Sequence, residues 1–531
     1  MTPEPETAET AQRATWRQWL ALALLTLPLL MAATDMTVLF MALPTITADL
    51  APGSTQMLWI LHVGEFLAVS LVLTMGWLGA KVGRRRLLMI GVTVYGLASL
   101  GAAFASTPEA LIAMRAVMGM AAASMTPSIM ALLRVMFANP RQFSMAVAVV
   151  MSAFSAGTAL GPPIGGFVLE HFWWGAVFLL NVPIAALVLA SHRLLPGYRE
   201  SVQGRVDIRS VALSMAAIIS IIYGLQEIAE HSAAGSHSPL WPYIAAVIGG
   251  LLLGAMFVRR QLRLTEPLMD MRMFATPAFT VSVGTMLVML LAFGGVDMLL
   301  AQYLQTSLGL TPGEAGLLLV APAVASIVGG MVAPVLTRWM RPAIAMGGGL
   351  LLASASAATL ALTLGTVGAF ALITMATLLA LALGPIFTLA PNLIMVSAPV
   401  RKAGSAAAMS DVAGGFGGAL SMAFLGSLAA VIYRSDLNDA QLDGVSESAR
   451  ETAGENVGGA VGVAEQLPED AAQQLLEAAF AAFTTAVQAG YGVAAVLSAL
   501  LGLGVLWLLR HTRIDATEEN NAEKNTVQTA A

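Results

Sequence analysis

The sequence predicts an all-α polytopic membrane protein, and three observations predict it. Apolar runs long enough to cross a bilayer recur almost end to end. Charge is scarce, at 11% of residues against 57% hydrophobic, with a mean hydropathy of +0.79. Lys and Arg gather in alternate connections between the apolar runs. Soluble domains carry about a quarter charged residues, so this chain belongs in lipid, and it leaves no stretch long enough for a separate catalytic domain. With no cysteine in the chain, disulfides, thiolate metal sites and cysteine nucleophiles are excluded.

A spanning helix needs about 20 mostly apolar residues. Fourteen runs qualify, at roughly 18–43, 56–76, 86–106, 109–133, 143–169, 173–195, 207–228, 240–258, 278–303, 313–337, 342–364, 367–396, 404–432 and 485–510. The first, from about Trp19 to Leu43, is too long for a signal-peptide core and reads as a retained span. Basic residues mark cytoplasmic connections. They fall at Arg13 and Arg17, Lys81 with Arg84 to Arg86, Arg134 and Arg141, Arg193 to Arg209, Arg259 to Arg272, Arg338 and Arg341, Arg401 and Lys402, and Arg510 and Arg513. The alternation puts both termini, 1–17 and 511–531, in the cytoplasm. The segment from about 433 to 484 is then external and acidic, reading as a solvated loop in which residues 466–484 could include a short amphipathic helix. Its acids could also concentrate cations at the external mouth.

Ionisable groups inside spans are costly, and so become candidates for function. Asp35, His62, Glu65, Arg115, Glu227, Asp297 and Asp411 fall there. At about 1.5 Å per residue, Asp35 and Arg115 lie at similar depth from the external ends of their spans. An arginine in lipid needs an anion, so the two are expected to pair, with His62 near their level and Glu65 one turn deeper. Asp411 lies about 13 Å beyond Lys402, near mid-membrane, with no base in reach on its own helix. It suits a proton carrier or a cation binder. Glu227 and Asp297 sit nearer the external ends.

Two motifs are more specific. Span 5 holds Gly157, Gly161, Pro162, Pro163, Gly165 and Gly166, a bent helix that a neighbour can approach closely. The connection after span 2 holds Gly76, Gly79, Gly83, Arg84 and Arg85, a topogenic basic loop with a shaped turn. Gly414, Gly415, Gly417 and Gly418 in span 13 faintly repeat the span 5 pattern, as transporters built from repeated bundles do. Thirty methionines and nine tryptophans leave room for an adaptable, cation-tolerant pocket.

These motifs resemble those of the major facilitator superfamily, in particular its fourteen-helix drug:proton antiporters of the methyl viologen and quaternary ammonium type. The string Asp35-Met36-Thr37-Val38 with Ala42-Leu43-Pro44 is similar to the family's first-helix motif, Leu111 to Gly119 to its proton-coupling motif, and Gly157 to Gly166 to its antiporter motif. Trp174, Phe178, Asn181 and Pro183 also fall as in these pumps. Ala80 stands where the loop motif usually has Asp, His62 where relatives often carry an acid, and Gly415 where a second acid is expected after Asp411. The resemblance implies a six-helix bundle at 18–196, an inserted helix pair at 205–260 and a second six-helix bundle at 275–510. It implies proton-coupled multidrug efflux of lipophilic organic cations (quaternary ammonium compounds, dyes, methyl viologen, bisbiguanides) across a bacterial inner membrane by alternating access. The partners are then those cations, protons and the bilayer, with no nucleic acid. The proton motive force serves in place of a cofactor, no metal is needed, and a monomer is the working unit. The coupling set is Asp35, Arg115, Asp411, Glu65, Asp297 and His62. The alternative reading is a facilitator for another solute, such as a lipid, a siderophore or an amino acid. A membrane enzyme would need clustered nucleophiles or metal ligands, which the scattered polar residues do not supply.

Overall fold

The computed structural model describes residues 14–52, 54–197, 207–234, 239–264, 267–399, 402–440, 442 and 445–510. Among these every regular element is helical. In chain order they are α1 Trp16–Leu50, α2 Ser54–Val82, α3 Arg84–Ala103, α4 Pro108–Ala122, α5 Met125–Met136, α6 Pro140–His171, α7 Ala176–Leu179, α8 Asn181–Ala190, α9 Ile208–Ala234 and α10 Trp241–Gln261. There follow α11 Pro277–Phe293, α12 Val296–Thr306, α13 Pro312–Trp339, α14 Pro342–Thr363, α15 Ala369–Val396, α16 Ala403–Asp439, α17 Glu447–Glu455, α18 Val457–Ala464 and α19 Glu469–Leu508.

Helix starts follow the local chemistry. Thr107 and Asn139 accept backbone N–H bonds in the first turns of α4 and α6, each with proline at the first helical position. Thr311 and Glu314 close a capping box on α13.

Among the described residues, twelve helical stretches are long and apolar enough to cross a membrane, by length and composition. Two of the expected spans, 173–195 and 278–303, fall instead on shorter apolar helices, Ala176–Ala190 and Pro277–Phe293. Three expected spans are broken, for identifiable reasons. Pro127 and Pro183 each sit at the third residue of the second segment, where the missing N–H leaves the carbonyl four residues back, at Ala123 and Leu179, without its helical donor. The break between α11 and α12 comes at Gly294-Gly295, where Ser421 Oγ on α16 accepts the Gly295 N–H at 2.9 Å.

The acidic segment 433–484 differs most from expectation. It is not a solvated loop: α16 runs on to Asp439, α17 and α18 follow, and the fourteenth expected span starts at Glu469 as one 40-residue helix, about 60 Å long. No separate amphipathic helix occupies 466–484. Leu437, Ala453, Ala460, Leu475 and Ala479 are fully buried there. The Tyr433 hydroxyl donates to Ala453 O at 2.9 Å, and Arg450 Nη2 to Ala440 O at 3.2 Å. Apolar burial and these bonds supply what a free loop would lack.

α1 packs along α6, and α4 against α2 and α3. Further along the chain α13 packs on α15, α14 on α15 and α19, and α16 on α11 and α19. The two sets meet where α6 lies on α13 and where α16 lies on α2 and α5, while α9 contacts α2, α10 and α16.

Candidate functional site: a buried ion pair between helices

Asp35 is carried by α1 and Arg115 by α4, and both are buried, at 9% and 4% exposure. Arg115 Nη1 donates to Asp35 Oδ2 at 2.5 Å. The rest of the guanidinium is spent on the neighbouring helix: Nε donates to Ile60 O at 3.2 Å and Nη2 to Leu61 O at 3.3 Å. That reach requires α2 and α4 to touch, and glycine permits it, since a Cβ on Gly119 would overlap the backbone of Gly64. The second carboxylate oxygen accepts from Asn181 Nδ2 at 3.3 Å, and Asn181 also donates to Ser99 Oγ at 3.1 Å. The Tyr95 side chain, buried on α3, lies beside Asp35 as well. Three helices, α3, α4 and α8, thus converge on the carboxylate that α1 carries, each through a polar side chain.

His62 follows the carbonyl that Arg115 Nη2 grips, so it shares the level of the pair. Its Nδ1 lies 3.8 Å from Glu65 Oε2, too far for a hydrogen bond, and is buried without a partner. Asp411, half-buried on α16, faces Thr126 at the start of α5 and lies outside the Asp35 network. The expectation that no base on its own helix neutralises it stands beside a hydroxyl from a different helix, which the sequence did not reveal. Asp297 is in the first turn of α12, but its side chain lies outside the described ones. Glu227 is half-buried on α9.

The glycine motif of α6 seats α1. A Cβ on Gly157 would come within 2.7 Å of Leu30 O, and one on Gly161 would run into the Thr37 side chain, while Gly165 faces Val38 at 3.2 Å. Gly166 is different, with nothing within 4 Å of an added Cβ. Pro163 is exposed, and the side chain of Pro162 is outside the described ones. The motif therefore fixes the helix that carries Asp35.

In the basic loop motif, helix persists through Gly76 and Gly79 to Val82, so Gly83 alone makes the turn, at φ +109°, where only glycine is unstrained. Arg84 is 1% exposed: its Nη1 donates to Gly76 O at 2.6 Å and its guanidinium lies against Gly404 on α16. Arg85 Nη1 donates to Leu195 O at 3.1 Å. Asn392 Nδ2 on α15 donates to Ser144 Oγ on α6 at 2.6 Å, both side chains being buried.

Sequence reasoning missed Tyr95, Ser99, Asn392 and Ser144, and gave Asn181 a place without a partner. All are neutral, and a search for charges in lipid passes over them. Their shared signal is a polar side chain in an otherwise apolar run.

Residues 25–422 match the model of the Major Facilitator Superfamily. The chain belongs to that superfamily. This facilitator is 36% identical over 500 residues to the multidrug efflux pump LfrA of Mycolicibacterium smegmatis, covering 94% of this chain and 96% of that protein. It is 33% identical over 496 residues to the methyl viologen resistance protein SmvA of Salmonella typhimurium, covering 93% and 99%. Among solved structures it resembles the proton:xylose symporter XylE, with a TM-score of 0.58 at 12% identity over 92% of this chain and 94% of that one. The human organic anion transporter MFSD10 gives 0.58 at 13% identity over 92% and 99%. At such identities the structures speak for the facilitator fold alone.

Proposed function

We propose that this facilitator is a proton-coupled antiporter that exports lipophilic organic cations, including quaternary ammonium compounds, dyes, methyl viologen and bisbiguanides, by alternating access. Fourteen spans form two six-helix bundles, 18–196 and 275–510, with 205–260 inserted between them and both termini in the cytoplasm of a bacterial inner membrane. The observation that carries the reading is the Asp35 carboxylate, buried and bonded by Arg115 and Asn181 with Tyr95 beside it, in a chain similar almost end to end to a multidrug efflux pump and a methyl viologen resistance protein.

A carboxylate in that setting has two low-energy states: ionised against Arg115, or protonated. Protonation releases the arginine from its counter-ion, so helix packing can follow proton occupancy. A cationic substrate favours the ionised state and competes with the proton for negative charge. Asp411 supplies a second acid on the opposite bundle, placed to hold a cation's other charge. With the basic loops cytoplasmic, the Arg84–Gly404 contact and the Ser144–Asn392 bond lie at the cytoplasmic ends, which supports a state sealed on that side, from which an exporter releases its cargo.

The test is ethidium uptake into everted vesicles carrying the parent, Asp35→Asn or Asp411→Asn at matched expression. The parent should accumulate ethidium while a pH gradient is held and stop when the gradient is dissipated, and Asp35→Asn should abolish uptake. Retained proton-driven uptake in Asp35→Asn, or no cation movement by the parent, refutes the proposal.

A further inference from the structure

Phe, Trp and Tyr make up 7% of the chain, yet four of them and two histidines form one continuous run from beside the ion-pair network to α9 and α10. His62, next to the carbonyl that Arg115 Nη2 grips, stacks on Phe66 at 6.0 Å and 16°. Phe66 and Trp59 meet edge to face at 6.0 Å. Trp59 then stacks across the helix seam on Tyr223 of α9, at 6.1 Å and 13°. Tyr223 meets Tyr243 of α10 at 6.3 Å, and Tyr243 meets His231 at 4.8 Å.

Simple packing would favour aliphatic side chains here. The run instead holds two buried polar atoms without a hydrogen-bond partner, His62 Nδ1 and, one turn from Tyr223, Gln226 Oε1. Acids flank it on both helices. Glu65, with its side chain 37% exposed, lies three residues from His62, and Glu227 lies four residues from Tyr223 on the neighbouring face of α9. Ring faces attract cations within about 6 Å of the centroid, most strongly when water is excluded, and tryptophan is the best of them.

We propose that the α2–α9 seam is a second binding subsite for flat aromatic cations, in which Trp59 and Tyr223 present ring faces and Glu65 and Glu227 supply counter-charge. It rests on the reading of the chain as a cation exporter. It gives the inserted helix pair a direct part in handling cargo. A cation leaving the Asp35 region steps onto rings that lead outward between α2 and α9.

The test measures equilibrium binding of ethidium to purified protein, beside ethidium transport in proteoliposomes, for the parent, Trp59→Leu, Trp59→Phe, Tyr223→Leu and Tyr223→Phe. Each leucine variant should bind ethidium about tenfold more weakly and raise its KM by a similar factor, while each phenylalanine variant stays near the parent. Parental ethidium affinity in both leucine variants overturns the subsite and leaves the export reading standing. A parent that neither binds nor moves any organic cation overturns the export reading itself. Should the leucine variants fail to fold, Gln226→Cys in this cysteine-free chain gives an independent readout. Ethidium should slow its maleimide labelling at least about threefold, and unchanged labelling overturns the subsite.

Discussion

Replacing Arg115 by alanine separates what the ion pair does for folding from what it does for transport. The guanidinium and the Asp35 carboxylate are 5% and 7% exposed. Removing one member of a buried pair costs about 3–5 kcal/mol, because the other charge is left in a low-dielectric interior. Asp35 keeps Asn181 Nδ2 at 3.3 Å, which places the loss at the lower end, about 3 kcal/mol, or roughly a hundredfold in the folding equilibrium. Most of that cost is the stranded carboxylate and not the missing side chain. Neutralising it in Arg115→Ala/Asp35→Asn should therefore recover about 2 kcal/mol relative to Arg115→Ala, although neither protein transports. The assay is thermal unfolding of the three purified proteins in one detergent, beside ethidium efflux. A double variant no more stable than Arg115→Ala would show that Asp35 is not the charge Arg115 holds, and wild-type efflux by Arg115→Ala would remove the coupling role. Arg115→Lys sharpens the test. A single ammonium can replace the contact to Asp35 but cannot also reach Ile60 O and Leu61 O, so it should fold well and transport poorly.

The two acids should differ in substrate dependence: Asp35→Asn should stop export of monovalent and divalent cations alike, and Asp411→Asn should hurt a divalent cation such as methyl viologen more than ethidium. Equal losses for both cations in Asp411→Asn would refute the division. Gly161→Ala should loosen the seat of α1 by about 1–3 kcal/mol through overlap with Thr37, whereas Gly166→Ala, with open space around it, should be neutral, as read by thermal unfolding. In this cysteine-free chain, Ser446→Cys should label from outside and His192→Cys only from inside, both positions being exposed; the same sidedness for both would sink the fourteen-span topology. The Arg260 guanidinium, hydrogen-bonded to Asp207 through Nε at 2.6 Å and Nη2 at 2.9 Å, holds that carboxyl down from its ordinary value near 3.8 to about 2. A depressed carboxyl stabilises the fold above its unfolded value and stops doing so as pH falls through its folded one. The stability gap between the parent and Asp207→Asn should then be full above about pH 4 and close towards pH 2, and a gap that persists unchanged to that pH contradicts the pairing.

The fold was legible because lipid imposes one rule on every residue. A backbone without water must bond internally, so long apolar runs become helices and bases stay outside. That rule located all twelve long helices and both shorter ones, and shared depth was enough to bring Asp35 and Arg115 together on paper. It could not say what else reaches Asp35. Asn181, Tyr95 and Ser99 are separated from it along the chain, and neutral groups leave no mark in a charge pattern. Nor could composition show that the acidic stretch 433–484 packs, because its alanines, valines and leucines are buried only where helices meet. The breaks at Pro127 and Pro183 were written in single residues, yet Pro322, Pro334, Pro385 and Pro391 lie within unbroken helices, so neighbours and not proline alone decide where a span gives way. What the sequence by itself determined is which segments are helical and apolar enough to cross a membrane and which charges lie within them, since solvation acts on each residue where it stands. Only the tertiary structure decided which side chains meet around Asp35 and along the α2–α9 seam, because a contact between helices depends on how both are rotated and how closely glycine lets them approach.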